Sequence, residues 1–198
     1  HCGECERVCR FDAIKEFVVN QIACEGCGVC QQICPVDAIK MELLNSGHIY
    51  IANTKYGKFI YAQLYPGYSN SGRLVNEVKE LAKKFAQEEK RKFLLIDGAP
   101  GIGCPVISSL SGADLCVIVT EPTLSAKSDM ERIIKLTEHF QIPSVVCINK
   151  YDVNPAMTDH IKKICEQKDI PVLGEVPFDI TVYTALKEGV CLLYTSPS

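Results

Sequence analysis

Past residue 45 the chain alternates short apolar runs with amphipathic stretches. Residues 48–52 and 58–64 are apolar runs on either side of Asn53-Thr54-Lys55-Tyr56-Gly57, a pattern that predicts a hairpin or a paired entry into a sheet. Leu74, Val75, Val78, Leu81, Ala82 and Phe85 then recur at steps of three and four, which predicts a helix with Ser69, Asn70 or Ser71 as its N-cap. Lys79, Lys83, Lys84, Glu88 and Glu89 are expected to form its solvated face. From Lys92 onward, residues 93–96, 115–119 and 144–148 are continuous apolar runs without polar alternation, as expected of strands covered on both faces. Helical periodicity fills residues 127–140 and 156–167, and a fourth short strand is expected over residues 171–176. Strand and helix in alternation predict an α/β fold with a parallel sheet and right-handed crossovers, whose ligands bind beyond the carboxyl ends of the strands.

The first 45 residues have no such alternation, and cysteine dominates them. Seven of the chain's 12 cysteines fall within the first 34 positions. Cys24, Cys27, Cys30 and Cys34 are followed by Pro35 in the C-x-x-C-x-x-C-x-x-x-C-P spacing that places thiolates around a cubic iron–sulfur cluster. An offset of 25 residues carries Cys2, Cys5 and Cys9 onto Cys27, Cys30 and Cys34, and residues 9–15 onto 34–40, so the segment is an internal duplication. Arg10 stands where the second run has Pro35. In two-cluster ferredoxins the fourth cysteine of each run serves the other run's cluster. Cys9 is therefore expected to complete Cys24, Cys27 and Cys30, with Cys2, Cys5 and Cys34 holding a second 4Fe-4S cluster. The counterpart of Cys24 would lie two positions before His1, and with no initiator Met the chain is expected to begin within a domain. Zinc is the competing occupant, although zinc pairs are normally joined across a long spacer. Disulfides suit the cysteine density, but the apolar segment that follows, with its unpaired cysteines, suits a reducing and hence cytoplasmic compartment.

Composition narrows the function classes. At 198 residues, 47% hydrophobic and 23% charged, the chain can bury one medium core and one small one. No apolar run approaches the roughly 20 residues of a membrane span, and no signal peptide is visible. The formal charge is −3, and the first 45 residues carry four basic residues (Arg7, Arg10, Lys15, Lys40) against seven acidic ones. That balance argues against a nucleic-acid partner and for an acidic electron-transfer module.

The residues after the predicted strands carry further candidate chemistry. Asp97-Gly98-Ala99-Pro100-Gly101-Ile102-Gly103-Cys104-Pro105 follows the first run: an acid there can hold hydrated magnesium, while the Gly101 and Gly103 amides can approach a phosphate. A plain Asp-Gly turn is the alternative. Asn149-Lys150-Tyr151-Asp152 follows the third run and suits recognition of a nucleotide base; a capped loop is the alternative. Cys104, at a glycine-rich turn opening a helix, is a candidate for a redox or cluster-transfer role, against an ordinary thiol with none. Cys116 and Cys147 are expected in the core, and Cys165 lies on a helix. His1, His48, His139 and His160 form no pattern.

With Pro66-Gly67, Asn70-Ser71-Gly72-Arg73-Leu74-Val75, Thr120-Glu121-Pro122-Thr123 and Val176-Pro177-Phe178-Asp179, these motifs resemble, in this order, the MinD-like P-loop ATPases that carry an inserted double-cluster ferredoxin domain. Those proteins are relatives of the nitrogenase iron protein and the Mrp-type carriers. The resemblance runs from His1 to about Gly189. It implies a truncated ferredoxin-type domain over residues 1–45 and an incomplete P-loop NTPase domain over 46–190, with 191–198 a non-native tail. It also implies ATP and Mg as ligands, Asp97 at the magnesium-side switch, and Asn149, Pro177 and Phe178 around the adenine. A homodimer of the full-length protein and a redox or cluster-accepting protein partner are implied as well. The family's phosphate-cradling loop and first switch aspartate precede the ferredoxin insertion and are not found here, so this chain alone is predicted not to hydrolyse ATP. Two function classes remain: an ATP-dependent switch coupled to electron transfer, and an electron-transfer or cluster-assembly module with a passive nucleotide site.

Overall fold

A computed structural model describes residues 2–68 and 72–191. The chain divides into two compact units, His1–Asp97 and Gly98–Ser198.

In the first unit the duplication is visible in the backbone. Helix α1 (Glu4–Arg7) and helix α2 (Val29–Gln32) are single turns at the same offset as the cysteines. Each opens on a glycine in the left-handed region, Gly3 at φ 77° and Gly28 at φ 73°, where a side chain would be strained. Strands β1 (Ile14–Lys15) and β2 (Val18–Val19) pair antiparallel, and Ile14 of β1 and the preceding Ala13 are buried.

The predicted hairpin forms as β3 (Gly47–Thr54) and β4 (Gly57–Leu64), antiparallel in unbroken register from Gly47↔Leu64 to Thr54↔Gly57. Thr54 closes the turn: its hydroxyl donates to the Gly57 carbonyl at 2.7 Å and accepts from the Tyr56 N–H at 3.2 Å. One face carries a ring ladder, Tyr50 stacked on Tyr61 at 5.2 Å and Phe59 on Tyr61 at 5.1 Å. At the end of that ladder the Tyr65 hydroxyl and His48 Nε2 are 2.8 Å apart.

Helix α3 (Gly72–Glu88) packs against β4, fixed at one end by Lys58, which lies over the Phe85 ring and 3.6 Å from Glu89 Oε1. Its expected caps Ser69, Asn70 and Ser71 lie outside the described residues. One expectation for this helix fails, because Lys79 is 4% exposed rather than solvated. It stands four residues after Val75 and three before Ala82, so its stem joins the apolar stripe, and burial pushes its pKa down.

The second unit is the predicted α/β alternation: α4 (Cys104–Leu110), β5 (Cys116–Thr120), α5 (Leu124–Phe140), β6 (Ser144–Asn149), α6 (Pro155–Gln167), β7 (Val172–Val176) and α7 (Ile180–Glu188). The three strands pair in parallel in the order β5-β6-β7. Ile118, Val146 and Ile148 turn one face of the sheet onto Met130 and Ile134 of α5 and Ile161, Ile164 and Cys165 of α6. A smaller core joins Val106 and Leu110 of α4 to Ile142. Cys116 packs against both cores.

Two expectations about the strands are corrected. Residues 93–96 form no strand, and Phe93 and Leu95 are 84% and 92% exposed. A strand is stabilised by a ladder on a neighbour, and among the described residues no strand pairs with this run. Among the described residues the sheet is also covered on one face only. Val119 and Leu173, which alternate with the buried positions, are each 66% exposed. Among the described residues no helix is long and apolar enough to cross a membrane.

Candidate functional site

Within the first unit Cys9, Cys24, Cys27 and Cys30 line one cavity of about 330 Å³, with Phe11, Ala13, Ile14, Val29, Ile39 and Met41 in its walls. Cys9 comes from the first run and the other three from the second. Cys2, Cys5 and Cys34 are not among the lining residues. The Cys30 thiol is pushed up first by burial and further by the neighbouring Cys24 and Cys27, against a lowering contribution from the Gln31 backbone N–H. Ionising the Cys30 thiol is therefore costly, and a polynuclear cation bound at its sulfur offsets that cost.

The fourth cysteine of each run is held by the same device. The Ala13 N–H donates to Cys9 Sγ at 3.4 Å, and the Ala38 N–H donates to Cys34 Sγ at 3.2 Å. The Ala38 and Val36 N–H groups hold the Cys34 thiol below its ordinary value. Soft sulfur donors, backbone N–H groups aimed at sulfur and a roomy apolar cavity fit an iron–sulfur cluster. Around zinc, with Zn–S bonds of about 2.3 Å, tetrahedral sulfurs stand about 3.8 Å apart. Among the described residues no three Cys, His, Asp or Glu side chains are grouped to hold one metal ion.

In the second unit the loops after the strands are tied to each other at the carboxyl end of the sheet. Asn149 ends β6, and its Oδ1 accepts from the Lys150 N–H at 3.1 Å. Lys150, at φ 53°, sends its Nζ to Glu121 Oε2 after β5 at 3.0 Å. The Tyr151 N–H reaches the Val176 carbonyl at 3.2 Å, and Asp152 Oδ1 accepts from the Phe178 N–H at 2.7 Å. Asn149, Lys150, Asp152, Pro177 and Phe178 thus share one loop cluster, where the ring of Phe178 is exposed. Asp152 serves there as a clasp between loops, and Lys150 forms an ion pair. Glu121 and Asp179 complete the cluster and were not singled out from the sequence. Glu121 was visible only as part of the motif after β5. Asp179 was legible as an N-cap, and it caps α7 through the Thr181 N–H at 2.8 Å, which holds its carboxyl below the usual range.

Gly101, at φ 86°, lies in the turn before α4, and Cys104 is exposed at the first position of that helix. Asp97 is exposed in irregular backbone at the end of the first unit.

Two family models match the chain. Residues 2–44 match the LdpA Fe-S cluster-binding domain, and residues 33–193 match the CobQ/CobB/MinD/ParA nucleotide binding domain. An uncharacterised protein of Methanocaldococcus jannaschii is 43% identical over 153 residues, which is 77% of this chain and 54% of the relative. The septum site-determining protein MinD of Bacillus subtilis is 33% identical over 117 residues, 56% of this chain and 44% of the relative. The chain thus spans about half the length of these relatives. The solved structure of the MinD cell division protein of Aquifex aeolicus superposes with a TM-score of 0.54 at 19% identity, over 73% of this chain and 60% of that one, a likeness of fold. With its parallel sheet, its cysteine-lined cavity and a family match over well more than half of its length, the chain belongs to the CobQ/CobB/MinD/ParA nucleotide-binding family and carries an iron–sulfur cluster-binding domain at its N-terminal end.

Proposed function

We propose that the protein is an ATP-dependent switch coupled to electron transfer through two 4Fe-4S clusters. The observation that carries the reading is the cavity lined by Cys9 together with Cys24, Cys27 and Cys30, since it draws ligands from both duplicated runs. In this reading Cys9, Cys24, Cys27 and Cys30 hold one cluster, and Cys2, Cys5 and Cys34 contribute to the other. Such a cluster supplies reversible one-electron transfer. The Ala13 and Ala38 amides stabilise negative charge on sulfur, and the apolar wall partly screens Cys30 from water.

The nucleotide is ATP with Mg. Asp97 acts on the magnesium side, Gly101 offers its amide to a phosphate, and Asn149, Lys150, Asp152, Pro177 and Phe178 form the base pocket. The tie between the loops after β6 and β7 supports that pocket, because it holds Phe178 beside the end of Asn149's strand. The domains are 1–45 and 46–190, the full-length protein is a cytoplasmic homodimer, and its partner is a redox or cluster-accepting protein. The second reading, an electron-transfer or cluster-assembly module with a passive nucleotide site, is favoured by the engagement of Asp152 and Lys150 within the loops.

The two readings separate on the cluster reduction potential with and without Mg-ATP, measured on the full-length protein. A switch gives a shift above about 10 mV, or about 0.25 kcal/mol per electron, or a change in partner affinity. A potential and an affinity that both ignore Mg-ATP leave the passive module.

A further inference from the structure

The two runs share one feature that neither the cysteine spacing nor the family match assigns. Asp12 and Asp37 are non-glycine residues in the left-handed region, at φ 50° and 49°, and they stand at the same offset as the cysteines. Each closes the same tight turn: the Asp12 N–H donates to the Cys9 carbonyl at 3.2 Å, and the Asp37 N–H donates to the Cys34 carbonyl at 3.2 Å. The left-handed residue then swings the next peptide back, so that the Ala13 and Ala38 N–H groups point at Cys9 Sγ and Cys34 Sγ. Asp is one of the few side chains that takes this conformation at low cost, whereas an ordinary residue there costs about 1–2 kcal/mol and a β-branched one is an outlier. Charge does not explain the repetition. Asp12 pairs with Lys15 at 2.8 Å, and among the described residues Asp37 forms no ion pair with Lys40. What recurs is the turn.

We propose that Asp12 and Asp37 are positioning residues: by holding the left-handed turn they keep the Ala13 and Ala38 amides on the cysteine sulfurs, and so set the reduction potentials of the two clusters. The proposal rests on the cysteines being cluster ligands. An N–H donated to a ligand sulfur stabilises the more negative, reduced cluster, so losing it lowers the potential. Because Cys9 and Cys34 belong to different clusters, each Asp acts on one potential and leaves the other in place.

The test is a redox titration of the iron-loaded full-length protein followed by electron paramagnetic resonance. Asp12→Val and Asp37→Val are expected each to lower one potential, with the equilibrium constant for reduction falling about tenfold, which is about 59 mV for one electron. Asp→Asn and Asp→Gly, which keep the left-handed turn, are expected to stay near the parent value. If the valine variants take up no iron, Asp→Ala, which also disfavours the turn, reads the same quantity. Potentials that move equally in the Asn, Gly and Val variants assign the effect to the carboxylate and overturn the proposal, as do potentials that move in none. A parent chain that takes up no iron, or binds zinc in its place, overturns instead the cluster reading beneath it.

Discussion

At the scale of single residues, the cysteines divide by what surrounds them. Cys9 reaches a cavity with three cysteines of the other run, while Cys104 stands exposed at the start of α4. Cys9→Ser is expected to lower the iron and sulfide bound on anaerobic reconstitution, and Cys104→Ser to leave both unchanged; metal analysis of the two variants checks this. Asp179 gives a pH prediction. Its folded-state pKa lies below the ordinary value because of its bond to Thr181, so its contribution to stability is complete above the unfolded carboxylate pKa. That contribution is lost as pH falls through the folded value. Asp179→Asn keeps the cap but not the charge. In urea unfolding followed from about pH 7 to about pH 2, the advantage of the parent over this variant is expected to shrink as the solution becomes acid.

At the scale of elements, what the sequence made legible was periodic and what it hid was pairing. The hairpin around Lys55 and Tyr56, the helices at 72–88 and 124–140 and the three parallel strands all follow from apolar spacing that any local window contains. Residues 93–96 have the same composition as a buried strand, yet among the described residues the run has no partner strand, and a partner is a property of the whole sheet. Lys79 went astray for a similar reason: its charge suggested solvent, while its place on the helix put it against the stripe of Val75 and Ala82. The site was half legible. Spacing announced the cysteines, but the ties that engage Lys150 and Asp152 depend on Glu121 and Phe178, which lie 29 and 26 residues away. In the covered half of the sheet, Ile161 is fully buried between α6 and the strands. Ile161→Ala is expected to cost about 2–5 kcal/mol, read as a lower denaturation midpoint with little change in slope.

At the scale of the whole molecule, an iron–sulfur cluster-binding domain and a nucleotide-binding domain share one chain. The 198 residues contain no G-x-x-x-x-G-K run followed by Ser or Thr, the loop whose amides and lysine hold the β- and γ-phosphates. Phosphate release from ATP by this chain is accordingly expected to stay at background. Turnover above background would mean that the phosphate-binding groups lie among the residues already present. The ring ladder on the hairpin has an optical consequence. The chain has no tryptophan, and five of its eight tyrosines fall between Tyr50 and Tyr68. In the cluster-free chain the near-ultraviolet circular dichroism should therefore come largely from Tyr50 and Tyr61 and their neighbours, giving the hairpin a spectroscopic reporter of its own.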